Sequence, residues 1–208
     1  MSDRKATSSA VGEAGPGLAP LVAALEGAPG VGLAFLWGLA EATFFFVVPD
    51  VLISLAALFR PGRAWRHVVA AVAGAVIGGA LMFGWAARDA EGAGDAVARV
   101  PFIRARMFAH VRAGYQAHWA GAVFLGPLTG TPYKIYAVQA PAFIGRATFL
   151  METVPARGER FVLVWAVFGV VGAWLRRTRK WTAERMMVVP GVFWVLFYAV
   201  NWSLIAFR

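Results

Sequence analysis

The stretch Glu41-Ala-Thr-Phe-Phe-Phe-Val-Val-Pro-Asp50 lies inside an otherwise uncharged apolar run that covers residues 31–59. A charged side chain at the centre of a bilayer costs about 2.5–3.5 kcal/mol on insertion scales, so such residues usually face a protein interior or a water-filled cavity. Pro49 removes a backbone donor and clashes with the preceding turn, which interrupts a helix. We therefore expect a broken or re-entrant helical hairpin, because irregular backbone is tolerated at membrane depth where it lines a protein cavity.

The composition of the whole chain indicates a membrane protein. Hydrophobic residues make up 60% of the 208 positions, and the mean hydropathy is +0.64. A typical soluble domain is about 45–50% apolar. The net charge is +9, but the basic residues collect between apolar runs, as topology determinants do, so we expect no nucleic-acid partner. The absence of cysteine excludes disulfides, thiolate metal sites and cysteine nucleophiles.

Three further apolar runs are predicted to cross the bilayer. Residues 68–87 carry no charge and are long enough to span it. Gly74 and Gly78 stand four apart in that run, a spacing that lets another helix approach closely. Residues 161–175 form a second span, and because fifteen residues are short we expect it to start in the preceding turn or to cross where the bilayer is thinned. Residues 186–207 form a third span.

A second interrupted run covers residues 119–144 and contains Pro127, Pro132 and Pro141, with Lys134 as its one charge. We interpret it as a second hairpin, broken at Pro132 as the first is broken at Pro49. Residues 99–118 alternate arginines with apolar residues at helical spacing, which predicts an amphipathic helix at the membrane interface.

The sequence thus predicts an all-α polytopic membrane protein with two opposed re-entrant hairpins, an inverted repeat and about three full spans. The basic stretches at residues 60–67 and 176–185 are placed in the cytoplasm by the positive-inside rule. We expect a mobile cytoplasmic tail over residues 1–30, with a short helix at 18–26, a membrane domain over 31–177, and a basic loop plus a transmembrane helix over 178–208. The expected location is the inner (plasma) membrane, multi-pass, with a cytoplasmic N-terminus.

Three motifs in this order resemble the DedA-type proteins, also called the SNARE-associated or VTT-domain family, and most closely the YqaA-like branch. The first is the segment from Glu41 to Asp50, with proline before the second acid. The second is Thr131-Pro-Tyr-Lys-Ile-Tyr136, and the third is Arg157-Gly-Glu-Arg-Phe161. The resemblance covers residues 31–177. It departs from the family at Pro141, where glycine is usual, and at Asp50, where this branch often has glutamate.

The resemblance implies a transporter that moves a phospholipid or a polyprenyl phosphate across the bilayer, with dependence on the proton gradient and the hairpin acids in some members. Lys134, with Arg157 and Arg160 near the mouth, would bind an anionic head group. Glu41 or Asp50 would take up a proton in a low-dielectric cavity. The expected partners are membrane lipids, and protons as coupling ion. The sequence does not decide whether the protein forms a homo-oligomer.

Other interpretations of the same residues stay open. The buried charges are also typical of a satisfied ion-pair cluster that holds the hairpins together, and Lys134 is also placed to extend toward the interface. A non-transporting scaffold or assembly factor would use residues 99–118 and 176–185 as docking or anionic-lipid surfaces. An enzyme is disfavoured because His67, His110 and His118 lack metal-ligand spacing and no nucleophile motif is present. We expect no catalytic residue, no cofactor and no metal.

Overall fold

The computed structural model describes residues 19–118, 121–126, 130–179 and 181–207, and these residues are helical with short connections and no strand. The helices are α1 (Ala19–Glu26), α2 (Ala28–Thr43), α3 (Asp50–Phe59), α4 (Pro61–Ala86), α5 (Ala90–Ala98), α6 (Ala105–His118), α7 (Ala122–Leu125), α8 (Tyr133–Gln139), α9 (Arg146–Trp174) and α10 (Ala183–Phe207). A 3₁₀ turn at Ala140–Ala142 follows α8, and a π-helical turn at Leu175–Arg179 follows α9. The predicted all-α class is confirmed for the described residues.

Among the described residues, two helices are long and apolar enough to cross a membrane, Pro61–Ala86 and Arg146–Arg179, the latter being α9 with its π-helical turn. A third crossing is available if α1 and α2, which bend by 64° at the break between them, count as one span. A 26-residue helix is about 39 Å long at 1.5 Å per residue, which exceeds the roughly 30 Å hydrocarbon core. By their length and composition these helices indicate a membrane protein, and the spanning role of residues 186–207, inside α10, stays a prediction.

The predicted span at residues 161–175 lies within a longer helix. Helix α9 begins at Arg146 and runs for 29 residues, with Pro155 in its interior. The sequence shows four charged residues at 152–160, a pattern typical of a loop. In the structure the helix continues through them because Arg157, the most buried of the charged residues on this helix, is ion-paired inside the protein.

Both predicted interruptions carry non-helical backbone. Helix α2 ends at Thr43 and α3 begins at Asp50, and Trp37 Nε1 donates to the carbonyl of Val47 at 2.9 Å within the irregular segment. In the second run, α8 begins directly after Pro132, whose φ is −59° and ψ 129°, and Pro141 lies in the 3₁₀ turn. Pro127, together with residues 119, 120, 128 and 129, lies outside the described residues.

The amphipathic helix predicted over residues 99–118 begins later than expected. Helix α6 starts at Ala105, and residues 99–104 form an irregular connection from α5. Phe102 in this connection has φ +68°, a conformation that a bulky side chain rarely adopts. The helical periodicity therefore extends over less of the sequence than the arginine pattern indicates.

The described chain divides into two compact units that interleave along the sequence. Unit 1 contains residues 19–34, 50–68 and 162–207, and unit 2 contains residues 35–49 and 69–161. Residues 1–18 of the predicted tail lie outside the described part, whereas residues 19–30 are helical except at the bend. Val22 and Leu25 of α1 are buried in unit 1.

Unit 1 packs around α3, of which eight of ten residues are buried. Trp194 Nε1 of α10 donates to Ser54 Oγ at 2.9 Å, and Trp165 Nε1 donates to the carbonyl of Pro61 at 2.8 Å. Arg176 donates to the carbonyl of Leu58 at the end of α3. Apolar packing and local hydrogen bonds therefore fix this short helix from several sides.

Unit 2 packs around α8, whose first six residues are all buried. Helices α2 and α4 approach closely, because a side chain at Gly74 would collide with the carbonyl oxygen of Phe35, and one at Gly78 would lie 2.8 Å from the carbonyl oxygen of Leu39. The predicted use of these glycines for close helix packing is confirmed.

Candidate functional site

Three charged side chains lie buried together in unit 2. Glu41 is 4% exposed, Lys134 2% and Arg157 1%. They come from the last turn of α2, the first turn of α8 and the middle of α9. We call these three residues the charge cluster.

Arg157 is held by a carboxylate and by two aromatic rings. Its Nη2 donates to Glu41 Oε2 in a buried ion pair. The guanidinium carbon lies 5.2 Å from the ring centroid of Tyr133 and 4.9 Å from that of Phe161, within the range of cation–π attraction. Its Nε is buried and has no hydrogen-bond partner among the described residues. One donor of this guanidinium is therefore still available.

Lys134 contacts the irregular segment between α2 and α3. Its Nζ donates to the backbone carbonyl of Phe45 at 3.1 Å, and it interacts electrostatically with Glu41 and Arg157. Residue 45 lies in the irregular segment after α2, where carbonyls are released from helical hydrogen bonding. An ammonium carries three donors, so this contact leaves it able to bind a further acceptor.

Tyr133 positions the first turn of α8 and therefore the neighbouring lysine. Its hydroxyl lies 2.7 Å from Thr153 Oγ1, and Thr153 donates its own proton to the carbonyl of Phe149 at 2.8 Å. Tyr133 is consequently the donor to Thr153. Its hydroxyl occupies the space left by the missing side chain of Gly79, and its ring stacks on Phe149 with centroids 5.9 Å apart.

The helix dipoles work against two members of the charge cluster. Glu41 sits near the C-terminus of α2, where the dipole is negative, and Lys134 sits near the N-terminus of α8, where it is positive. Buried charges in such positions depend on one another for stabilisation. With each side chain in its ordinary ionised form, the cluster holds two cations and one anion and carries one excess positive charge.

The other predicted site residues lie elsewhere. Asp50 is the first residue of α3 in unit 1 and is fully buried, and Arg160 lies half-buried in α9 three residues beyond Arg157. Pro49 is buried directly before α3. The structure thus brings Glu41, Lys134 and Arg157 together within unit 2, whereas Asp50 belongs to the other unit. The expectation that Arg157 lies near a mouth is wrong, because its side chain is almost fully buried.

Sequence reasoning missed the residues that position the cluster. Thr153 is one helical turn before Arg157, and Gly79 directly follows the noted Gly74 and Gly78 pair. Tyr133 lies within the Thr131–Tyr136 motif, in which the sequence predicts only Lys134 as a site residue. No group of three or more His, Asp or Glu side chains among the described residues is arranged to hold a metal ion.

Fold and site together define an all-helical membrane protein with a buried charge cluster. Comparison with protein-family models, with curated proteins and with solved structures finds no match for this chain.

Proposed function

We propose that the protein is a membrane transporter of the DedA type that moves a phosphate-bearing lipid, a phospholipid or a polyprenyl phosphate, across the bilayer. The observation that carries the proposal is the burial of two basic side chains, Lys134 and Arg157, with the single acid Glu41, in a chain whose helices are long and apolar enough to cross a membrane. Ionisable residues at membrane depth are expensive to bury and usually mark a substrate or ion pathway. An anionic head group would complete the charge balance that Glu41 leaves incomplete.

The two helix interruptions form re-entrant hairpins in this proposal, inserted from opposite sides as an inverted repeat. Support comes from the proline-led starts of α3 and α8, each short and buried. Irregular backbone at membrane depth needs protein partners for its polar groups. The bond from Lys134 to the Phe45 carbonyl is such a partner. The protein would lie in the inner (plasma) membrane with a cytoplasmic N-terminus.

The transport step follows from competition for Arg157. A lipid phosphate binds Lys134 and then draws the guanidinium away from Glu41, because arginine pairs with phosphate through two parallel hydrogen bonds. Glu41 then lacks its partner in a buried position, where an isolated carboxylate is costly, and it takes up a proton. Loss of that proton restores the ion pair and expels the head group. In this scheme Asp50 is a second proton-binding acid, and Arg160 assists the head group.

A non-transporting scaffold is the second candidate. It is favoured by Arg177 and Arg179, which are exposed directly after α9, with Arg179 lying 5.3 Å from the Trp174 ring centroid. Exposed basic residues beside a membrane helix attract anionic lipid surfaces or acidic partners. A scaffold needs its partner to act, whereas a transporter acts alone in a liposome.

The test measures head-group translocation of fluorescent phospholipids and of a polyprenyl phosphate in proteoliposomes, with and without a pH gradient. Wild type, Glu41→Gln, Asp50→Asn and the double variant are reconstituted side by side after gel filtration confirms folding. We expect the double variant to lose transport and the wild type to respond to the gradient. Unimpaired transport in a folded double variant would contradict the mechanism. If folded wild type transports no lipid, the result would favour the scaffold.

A further inference from the structure

A second candidate site lies in unit 2, outside the charge cluster. A cavity of about 670 Å³ opens between the end of α4 and helices α5, α6 and α8. Pockets of roughly 300–1,000 Å³ are usual for small ligands. Most of its wall is small or apolar, as at Ala90, Ala109, Val138 and Phe143, and its polar side chains are Arg112 and Gln139.

Gln139, which lines this cavity, holds an unsatisfied acceptor. Its Nε2 donates to the carbonyl of Phe108 at 3.0 Å, which fixes the orientation of the amide because a carbonyl accepts only from the nitrogen. Oε1 is buried and has no hydrogen-bond partner among the described residues. A buried acceptor without a donor is unfavourable, and a ligand hydroxyl or amine that reached it would supply the missing donor.

Arg112 supplies the charge at the same cavity. Its side chain is exposed, and no acidic side chain of the described residues forms an ion pair with it. A guanidinium matches a phosphate through two parallel hydrogen bonds. Apolar walls with a single cation do not suit a free polyphosphate, which would need several positive charges.

We infer that this cavity binds an amphiphile with a phosphate ester, its phosphate on Arg112, a hydroxyl or amine on Gln139 Oε1, and its chain along the apolar wall. The inference does not rest on the proposed transport function, since a protein that moves no lipid can still hold one here. It adds a binding site to unit 2 that is separate in residues from Glu41, Lys134 and Arg157.

The test uses a site-specific probe, which the cysteine-free chain permits. A single cysteine replaces Glu91, an exposed residue of α5, and carries a fluorophore. The ligand is palmitoyl lysophosphatidylglycerol with a nitroxide label, added in neutral detergent. When the ligand binds, its nitroxide quenches the fluorescence of the probe. Nitroxide-labelled monopalmitoylglycerol lacks the phosphate. Glycerol phosphate lacks the acyl chain, and its binding is measured by competition with the labelled lysolipid. We expect the lysolipid to bind at least about tenfold more tightly than either, because charge-assisted hydrogen bonds and chain burial both contribute.

Two variants and a matched control decide the outcome. Arg112→Gln removes the charge, and Ala109→Trp fills the cavity from an exposed position on α6. Both should weaken lysolipid binding at least about tenfold, a change in the range expected for a lost charged hydrogen bond. Arg104→Gln removes the same charge from an exposed residue outside the cavity and should leave binding unchanged.

Equal binding by Arg112→Gln and Arg104→Gln would overturn the inference. So would monopalmitoylglycerol or glycerol phosphate binding as tightly as the lysolipid. Lys134→Gln should lose transport but keep wild-type quenching by the lysolipid at this cavity. The quenching assay therefore tests this inference, and the translocation assay tests the proposed transport separately.

Discussion

The short buried helices α3 and α8 begin with charged residues of opposite sign. Each follows a proline and lies at the centre of its own unit. Helix α3 begins with Asp50, an acid at the end where the helix dipole stabilises it, and ends near Arg60 and Arg176. Helix α8 begins with a buried lysine at the end where the dipole opposes it. The charges at the ends of α3 therefore agree with its dipole, whereas the lysine of α8 depends on Glu41 and on the carbonyl of Phe45 for stabilisation.

The largest expected effect is an asymmetry between the two buried acids. Glu41→Gln leaves Arg157 without its carboxylate, and breaking a buried ion pair costs about 3–5 kcal/mol. Asp50→Asn removes a negative charge from the first turn of α3, where the helix dipole favours it, and should cost about 1 kcal/mol. Chemical denaturation in detergent, followed by tryptophan fluorescence, measures both free energies of unfolding. Equal losses would remove the distinction between the units.

A double variant sharpens this first prediction. Replacing Glu41 and Arg157 together, as Glu41→Gln with Arg157→Gln, removes both charges of the pair. It should destabilise the protein by less than the sum of the single substitutions, because the two residues interact directly. Additive losses would show that the ion pair contributes no coupling energy.

Glycines at the helix contacts of the two units should differ in their tolerance of alanine. A Cβ at Gly172 in unit 1 meets the backbone carbonyl of Leu58, which cannot move aside, and should cost about 3 kcal/mol. A Cβ at Gly79 in unit 2 meets the hydroxyl end of Tyr133 and should cost about 1–2 kcal/mol. Gly84 of α4 faces open space, so Gly84→Ala is the control and should stabilise slightly. The reverse order of Gly172 and Gly79 in thermal unfolding would contradict this account of the two contacts.

Side-chain hydrogen bonds in the two units should respond differently to removal. Ser54→Ala leaves the buried indole N–H of Trp194 without its acceptor, at a cost of about 1–3 kcal/mol. Tyr133→Phe removes one hydroxyl, but Thr153 still donates to Phe149, so the cost should be about 1 kcal/mol. Thermal unfolding of the two variants in the same detergent checks the order. A larger loss in Tyr133→Phe would mean that this hydroxyl supports the cluster more directly than its hydrogen bonds show.

The smallest expected effect is a pH-dependent change in stability that comes from Tyr115, which packs against α8. Tyr115 of α6 donates to the carbonyl of Tyr136 at 3.0 Å, and burial raises the pKa of its phenol above the usual 10. Because the folded protein then holds this proton more tightly than the unfolded chain, the contribution of Tyr115 to stability is constant below pH 10 and falls as the pH rises above 10. Tyr115→Phe should lose about 1 kcal/mol at pH 7 and show a shallower decline above pH 10 in detergent. An unchanged alkaline decline would contradict the raised pKa.

The apolar pattern of the sequence predicts the helical class and the two interruptions well. Residues 68–87 are uncharged, so their helix is visible from length and hydropathy, and proline at 49 and 132 marks non-helical backbone before α3 and α8. The start of α9 was not predictable in this way. Its first half carries charges that are tolerated only because Arg157 finds Glu41, more than a hundred residues away in the chain.

The members of the charge cluster could be named from the sequence as isolated charges in apolar runs, but their pairing could not. Charge alone favours Glu41 and Asp50 as a pair near Lys134, whereas the structure pairs Glu41 with Arg157 and places Asp50 in the other unit. The supporting role of Gly79 depends on a contact with Tyr133 across two helices. Such contacts leave no periodic signal in either segment.

The most direct test of the central claim, that the excess charge at the start of α8 binds an anionic head group, is the initial rate of phosphate-lipid translocation by Lys134→Gln in proteoliposomes. This variant leaves the Glu41–Arg157 pair balanced, so it should fold. We predict a rate at least about tenfold below wild type, since a charged hydrogen bond to the head group is lost. Lys134→Arg should retain transport, and Ser54→Ala in α3 should leave the rate per folded molecule unchanged. Transport by folded Lys134→Gln at the wild-type rate would contradict the account.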